Sequence, residues 1–356
     1  MMTLDFHRRV PTGVAVALLA AVLFGASTPF AKILLREVEP ILLAGLLYLS
    51  AGSGLLLWRW LRLRLGPHTP REANLTRTDL PWLAGAILCG GIIGPVLLMV
   101  GLVRTPASTA ALLLNLEGVF TALLAWFIFK EHFAQRIALG MAAITAGGLC
   151  LSWTGRPEFG VPWDALAIAG ACLAWGLDNN LTRKVSASDP THIAALKGVV
   201  AGSVNLAVAL AMGAAIPAVP VLMIAAVIGL LSYGVSLSLF VLALRHIGTA
   251  RTGAYFSSAP FVGVTLSIML LGDRVTLPFL VATALIGVGV WLHLTERHEH
   301  EHWHVPILHD HRHRHDAHHQ HGHDGSVPAG ESHGHPHAHS AMLHRHPHYP
   351  DIHHRH

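Results

Sequence analysis

Three ionisable residues stand inside long apolar runs of this 356-residue chain, where a charge at mid-membrane depth costs about 3 kcal/mol on insertion scales. Glu117 is the deepest, with apolar neighbours on both sides in ASTAALLLNLEGVFTALL. Lys197 lies roughly a turn and a half into another run, and Asp178 about a turn from the end of a third. Groups so placed serve a proton, an ion or a charged solute, or else form a buried pair that locks two helices. Glu117 and Lys197 are chemically suited to such a pair, since each neutralises the other. Alone, Glu117 would be a proton or cation site, because desolvation disfavours the charged form of a carboxyl. Asp178 is followed by Asn179, Asn180 and, after one leucine, Thr182, a polar cluster able to ligate a passing cation or to face interfacial water. Asn115, Asn205, Ser257 and Ser258 offer neutral hydrogen bonds to an organic solute or between helices. Tyr255, Phe256 and Trp175 offer ring surface to a cavity or to the core. Lys32, near the end of the first run, has a stem long enough to snorkel.

A second set of chemical groups is confined to the C-terminus, where residues 297–356 hold 22 of the 28 histidines. The His-x-His alternation runs through His298, His300, His302 and His304, then His309, His311, His313 and His315, then His318, His319, His321 and His323, then His333, His335, His337 and His339. In an extended chain alternate side chains point the same way, and neutral imidazole ligates zinc, nickel, cobalt and copper. Metal contact is therefore the expectation; a pH-responsive charged tail is the other reading of so many groups titrating near pH 6.5. With almost no apolar residue to bury, the segment is expected to be disordered without a ligand. The pattern HExxH occurs twice, at 298–302 and 300–304. Repetition nearly forces it, and without a protease domain around it no enzyme is expected. No cofactor is required by any of this chemistry.

The elements that must position these groups follow from composition. Hydrophobic residues make up 53% of the chain and charged residues 12%, and the mean hydropathy is +0.51, so lipid is the solvent for most of it. Ten runs are long enough to cross: approximately 11–35, 40–60, 80–103, 105–129, 134–153, 162–182, 191–215, 219–244, 249–271 and 277–295. With the N-terminus inside, most Arg and Lys fall in inner segments, including Arg59, Arg62, Arg64, Arg77, Arg183 and Lys184, against Arg36, Arg104, Arg156 and Arg274 outside. That asymmetry sets both termini in the cytoplasm of a multi-pass cell (inner) membrane protein. The basic residues form no stripe with interleaved aromatics, which excludes nucleic acid as a partner. Cys89, Cys150 and Cys172 stand alone in apolar runs and are expected to be free thiols. Gly90–Gly94 and Gly198–Gly202 match GxxxG, which implies close helix packing and at most a homodimer. The sequon at Asn180 falls on the predicted inner side and is discounted.

The first five runs can be laid over the second five. Gly25–Pro40 (GASTPFAKILLREVEP) matches Gly176–Pro190 (GLDNNLTRKVSASDP), and ASTAALLLNLEGVFTALL matches ARTGAYFSSAPFVGVTLS from Ala250. Five is odd, so two such halves insert with opposite orientation, the arrangement by which secondary transporters expose one site to either side. The shared steps are Phe24-Gly25 and Trp175-Gly176, the Ala- and Thr-rich openings at 105–111 and 249–254, Glu117-Gly118-Val119-Phe120 with Ala259-Pro260-Phe261, and Lys130-Glu131 with Gly272-Asp273. In these motifs and their order the chain resembles the EamA-type permeases of the drug/metabolite transporter superfamily over about residues 11–295. The resemblance implies ten helices with both ends cytoplasmic. Glu117 stands where that family commonly has a helix-bending proline, which implies a straighter helix there than at Pro260.

The expected organisation is an all-α membrane protein: a cytoplasmic N-terminus (1–10), two EamA-like five-helix halves (11–153 and 154–295) and a His-rich cytoplasmic tail (296–356). The expected function is export of a small solute by alternating access. The solute is an organic metabolite or a divalent transition metal delivered by the tail, and the absence of dense His, Asp or Cys in the apolar runs favours the organic solute. A metal-sensing receptor or scaffold without flux is the alternative class.

Overall fold

A computed structural model describes residues 12–65, 75–129, 135–152, 162–185, 188–247, 252, 255–295, 299–304, 307–313, 333–339 and 342–347. From Thr12 to Thr295 the described residues are helical or in short connections. In chain order the helices are α1 (Thr12–Gly25), α2 (Ser27–Leu34), α3 (Pro40–Leu65), α4 (Leu80–Ala86), α5 (Gly94–Arg104), α6 (Ala107–Leu113), α7 (Leu116–Phe129), α8 (Gln135–Ser152), α9 (Trp163–Val185), α10 (Pro190–Ala211), α11 (Val219–Ile228), α12 (Ser236–Ile247), α13 (Ala259–Leu271) and α14 (Leu277–Leu294). Wide π-helical turns, Ile87–Ile93 and Gly229–Val235, join α4 to α5 and α11 to α12 without interrupting the rod.

Starts and stops follow local chemistry. Proline, which lacks the N–H that a first turn leaves unpaired anyway, opens α3 and α10. Asp189 caps α10 by accepting from the Thr191 and His192 amides, and its other oxygen takes the guanidinium of Arg59 from α3. Gly272, with φ +67°, ends α13 in the left-handed conformation that costs glycine least.

Among the described residues, six stretches are both long and apolar enough to cross a bilayer: Gly13–Leu34, Pro40–Arg62, Leu80–Arg104, Ala107–Ile128, Thr191–Ala211 and Val219–Ala243. The sequence reading counts ten. Of the other four, α8 begins with Gln135-Arg136, α9 carries Asp164 and the polar run from Asp178, and Ala259–Leu271 and Leu277–His293 are apolar but short. Large side chains such as Leu57, Trp58, Phe127, Leu149, Trp163 and Met269 are exposed on the outside of the bundle, as suits a lipid-facing surface.

The helices neighbour one another in matched sets. The rod α3 packs on α10, and α8 on α14; α5 lies on α9 as α12 lies on α1, and α7 lies on α9 as α13 lies on α1. Both π turns fall in the third rod of their half. The main core gathers Leu42, Leu43, Leu47, Leu98, Met99, Leu102, Leu113 and Ile168, fully or nearly fully buried, with a second cluster around Leu112, Ile144 and Ile286. Packing of α3 on α10 is close because Gly52 faces Gly198; a Cβ on Gly198 would come 2.6 Å from the Gly52 backbone. Gly202 similarly meets Leu49, so this GxxxG face is spent inside the chain rather than on a homodimer.

One expectation changes. The helix containing Glu117 is no straighter than its counterpart: α6 and α7 are separated at Leu114–Asn115, as the second half is at Ser257–Ser258 before α13. No proline is needed, because the Asn115 side chain donates to the Leu112 carbonyl (3.0 Å) just as the Ser258 hydroxyl donates to the Tyr255 carbonyl (2.6 Å). Local side-chain bonds of this kind compete with helix continuation. In the tail, β1 (Glu299–His304) pairs antiparallel with β4 (Met342–Pro347), and β2 (Ile307–His313) with β3 (His333–His339). The His-x-His alternation has the two-residue period of a strand.

Candidate functional site

The site begins with the first π turn. Widening the helix at Ile87–Ile93 turns backbone carbonyls outward from the usual ladder, and the Gly90 carbonyl accepts from both Tyr48 Oη and Trp175 Nε1, each at 2.9 Å. The next carbonyl, of Gly91, accepts from Asn205 Nδ2 at 3.1 Å. One π turn thus ties together α3, α9 and α10. Gly90 must lack a side chain: a Cβ there would lie 1.9 Å from Asp178 Oδ2.

Asp178 is 7% exposed and Lys197 5%. The Lys197 ammonium lies 2.5 and 2.7 Å from the two carboxylate oxygens and donates to Thr182 Oγ1 at 3.2 Å; Thr182 in turn donates to Asp178 Oδ1 at 2.8 Å. Every hydrogen bond in this triad stays within α9 and α10. Glu117, in the first turn of α7, accepts instead from Asn179 Nδ2 at 2.8 Å, and that amide also reaches Thr121 Oγ1 at 3.2 Å. Lys197 therefore pairs with Asp178 and not with Glu117. The reason is proximity: Asp178 lies at the end of α9 that meets the start of α10, whereas sequence alone carries no information on which helices touch.

These groups line a cavity of about 100 Å³. Its wall includes Glu117, Asp178, Asn179 and Lys197 on one side, Ser232 and Ser236 from the second π turn and its continuation, and rings from both halves: Phe24, Tyr48, Trp175, Tyr233, Phe240 and Phe256. The rings form a connected cluster. Phe24 packs edge-on against Trp175 (6.4 Å between centroids) and Tyr233 (5.9 Å) and lies 5.3 Å from Phe256; Phe240 lies 4.7 Å from Phe256, and Tyr48 5.2 Å from Tyr233. The Ser236 hydroxyl donates to the Ala20 carbonyl at 2.8 Å, tying α12 to α1.

Of the residues singled out from sequence, Glu117, Asp178, Asn179, Lys197, Trp175 and Phe256 meet at this cavity. Asn115, Asn205, Ser257, Ser258 and Tyr255 are not among its wall residues. Asn115 and Ser258 serve the two helix breaks, and Asn205 braces the π turn. Asn180 is buried and donates to the Gly176 and Thr121 carbonyls, so its sequon is used internally. Tyr48, Tyr233, Phe24 and Phe240 are wall residues that sequence reasoning passed over as site groups, since a ring in an apolar run carries no mark of facing a cavity. The three cysteines are free thiols.

Among the described residues no three His, Cys, Asp or Glu side chains converge on a metal position. His298, His315, His318, His319, His321 and His323 lie outside the described residues, as do Lys130-Glu131 and the N-terminus before Thr12. His300, His302, His304, His309, His311, His313, His333, His335, His337 and His339 fall on the tail strands, with His302 opposite His344 and His311 opposite His335.

Comparison with known proteins agrees with this architecture. The EamA-like transporter family matches twice, over residues 11–153 and 162–295. A protein of Methanothermobacter thermautotrophicus described as an uncharacterized transporter is 29% identical over 284 residues, covering 76% of this chain and 81% of its own. A solved crystal structure shares the fold with a TM-score of 0.58 at 16% identity, over 78% of this chain and 95% of the other. With six apolar spans and two family matches, the chain belongs to the EamA-like transporter family and is a multi-pass membrane transporter of a small solute.

Proposed function

We propose that the protein is a secondary transporter that exports its solute by alternating access, using ten spans arranged as two inverted five-helix repeats with both termini in the cytoplasm of the cell membrane. The observation that carries this reading is the cavity between the halves, where a buried ion pair, a separate carboxylate and rings from both repeats surround one space. The swapped helix neighbours, the two π turns and the paired helix breaks support the inverted repeat, because a rocking mechanism needs two equivalent arrangements around a central site.

On this reading the cavity faces the cytoplasm, where an exported solute would enter. Its charged wall is near the end of α9 and the start of α10, the ends assigned to the cytoplasm by the distribution of Arg and Lys. At the opposite end Lys32 donates to the carbonyls of Leu102, Val103 and Thr105 at 2.6, 2.8 and 3.0 Å, and Asp273 accepts from the Ser108 amide at 2.8 Å. These bonds tie the α5–α6 connection to α2 and to the turn after α13, at the end that the distribution of Arg and Lys would put outside.

The histidine-rich tail is proposed to bind zinc, nickel, cobalt or copper as a sensor or reservoir. A metal route through the bundle is disfavoured, because the described residues of the cavity wall include neither His nor Cys, the ligands such ions prefer.

Solute counterflow in proteoliposomes, run with the full chain and with one ending at Arg297, tests both parts. Accumulation of an organic solute by both forms, with zinc bound by the full chain alone, is the expected result. Flux of nickel or zinc in place of any organic solute would overturn the substrate reading, and no flux of any solute would overturn the transporter mechanism.

A further inference from the structure

We infer that the solute of this cavity is a small organic cation, its ammonium group held by Glu117 and faced by the surrounding aromatic rings; this rests on the cavity being the transport site.

The charge balance of the wall comes first. Lys197 is bonded to both oxygens of Asp178, so those two residues present no net charge and, among the described wall residues, leave no free cation to receive an anionic solute. Glu117 is bonded only to the uncharged amide of Asn179. The ion pairs of Arg59 with Asp189 and of Lys197 with Asp178 do not include Glu117. Among the described residues, therefore, one carboxylate is left without a counter-ion of its own in a poorly screened space, where it attracts a cation and repels an anion.

The rest of the wall is suited to an organic cation rather than to an inorganic one. Phe24, Tyr48, Trp175, Tyr233 and Phe256 present ring surface from five different rods, and ring faces hold ammonium groups that come within about 6 Å of their centroids. Such rings replace water poorly around a small hydrated ion but well around the methyl and methylene groups of an alkylammonium. The absence of His and Cys from the described wall residues removes the usual ligands of a transition metal. Size narrows the class. A cavity of about 100 Å³, against the roughly 10–15 Å³ that a single water needs at the least, is on the scale of a small molecule such as choline or butylammonium.

Asn179 makes the Glu117 carboxylate directional. Its amide reaches Oε1 and Thr121 together, which engages one oxygen and leaves the other available to a ligand.

The test is isothermal titration of the purified full-length protein with choline, butylammonium, the neutral choline isostere 3,3-dimethylbutan-1-ol and zwitterionic glycine betaine, alongside counterflow with choline, alanine and pyruvate. At least one of the two cations is expected to bind ten-fold or more tightly than the neutral isostere. That preference disappears in Glu117→Gln, persists in the charge-conserving Glu117→Asp, and weakens several-fold in Trp175→Leu. Equal binding of cation and isostere, no binding of either cation, or an undiminished preference in Glu117→Gln overturns the inference. If alanine or pyruvate moves in counterflow while no cation binds, the substrate class fails and the transporter reading stands. If a cation binds through Glu117 and nothing moves, the site stands and the transporter reading fails.

Discussion

Lys197 and Asp178 form a buried ion pair one helix apart, with the ammonium 2.5 and 2.7 Å from the carboxylate oxygens and Thr182 bridging both. Breaking such a pair by removing one partner strands a charge, at a cost of about 3–5 kcal/mol, whereas replacing both with apolar groups of similar volume is often nearly neutral. Lys197→Met and Asp178→Asn should each lower the unfolding midpoint in detergent, while Lys197→Met combined with Asp178→Leu should lose much less than the sum. A double-mutant cycle that comes out additive would show that the two residues act independently.

Gly90 sets the position of that carboxylate. In Gly90→Ala the new methyl would meet Asp178 Oδ2 at 1.9 Å and the Asp178 Cβ at 2.6 Å, so the α4–α5 rod and α9 must separate. Transport should fall at least ten-fold. Gly85→Ala, on the same rod, meets only the flexible tip of Leu181 at 3.1 Å and should transport normally. Initial rates for the two variants, at matched protein levels, make the comparison.

Which parts of this site were legible in sequence follows from what sequence encodes. Glu117, Asp178 and Lys197 stand out because an ionisable group in an apolar run is expensive. Their partners do not, since pairing depends on which helices touch: Lys197 is bonded to Asp178, nineteen positions away, although Glu117 is an equally plausible mate on charge alone. Phe24 and Trp175 could be aligned by the repeat, and they do meet across the cavity. Tyr48 and Tyr233 could not, because a ring facing a cavity and a ring facing core look alike in a linear pattern. The π turns were also hidden. Their glycines, Gly90 and Gly91 in one and Gly229 and Gly234 in the other, read locally as ordinary packing glycines. The helix break at Asn115 carries no proline to mark it, and an asparagine bonded to the third carbonyl before it does the same work.

Tyr48 and Trp175 share one acceptor, the Gly90 carbonyl. A typical net hydrogen bond is worth about 1 kcal/mol, but a buried polar group left with no partner costs about 1–3 kcal/mol. Tyr48→Phe alone should therefore be mild, since Trp175 still satisfies the carbonyl, and Trp175→Phe should be mild in turn apart from its lost ring area. The combined variant should cost more than the two together. Denaturant unfolding of the four proteins reads this directly, and a combined cost equal to the sum would mean that the carbonyl has found another donor.

Lys32 and Asp273 hold the opposite end of the bundle. Three carbonyls at the end of α5 converge on the Lys32 ammonium, and the Asp273 carboxylate caps the start of α6 through the Ser108 amide. On the alternating-access proposal, opening the bundle at this end would require these bonds to part, because they link α2, the α5–α6 connection and the turn after α13. Replacing Lys32 with Met leaves the three carbonyls to water, which reaches them only when that end is open, so the open arrangement gains relative to the closed one. The buried thiol of Cys172, which lies against the Leu113 carbonyl, reports the change. With Cys89 and Cys150 replaced by serine, maleimide labelling of Cys172 should be slow in the parent protein, several-fold faster in Lys32→Met, and faster again with Asp273→Asn added. Unchanged labelling in both variants, with transport intact, would show that these bonds hold the connection in shape without gating access.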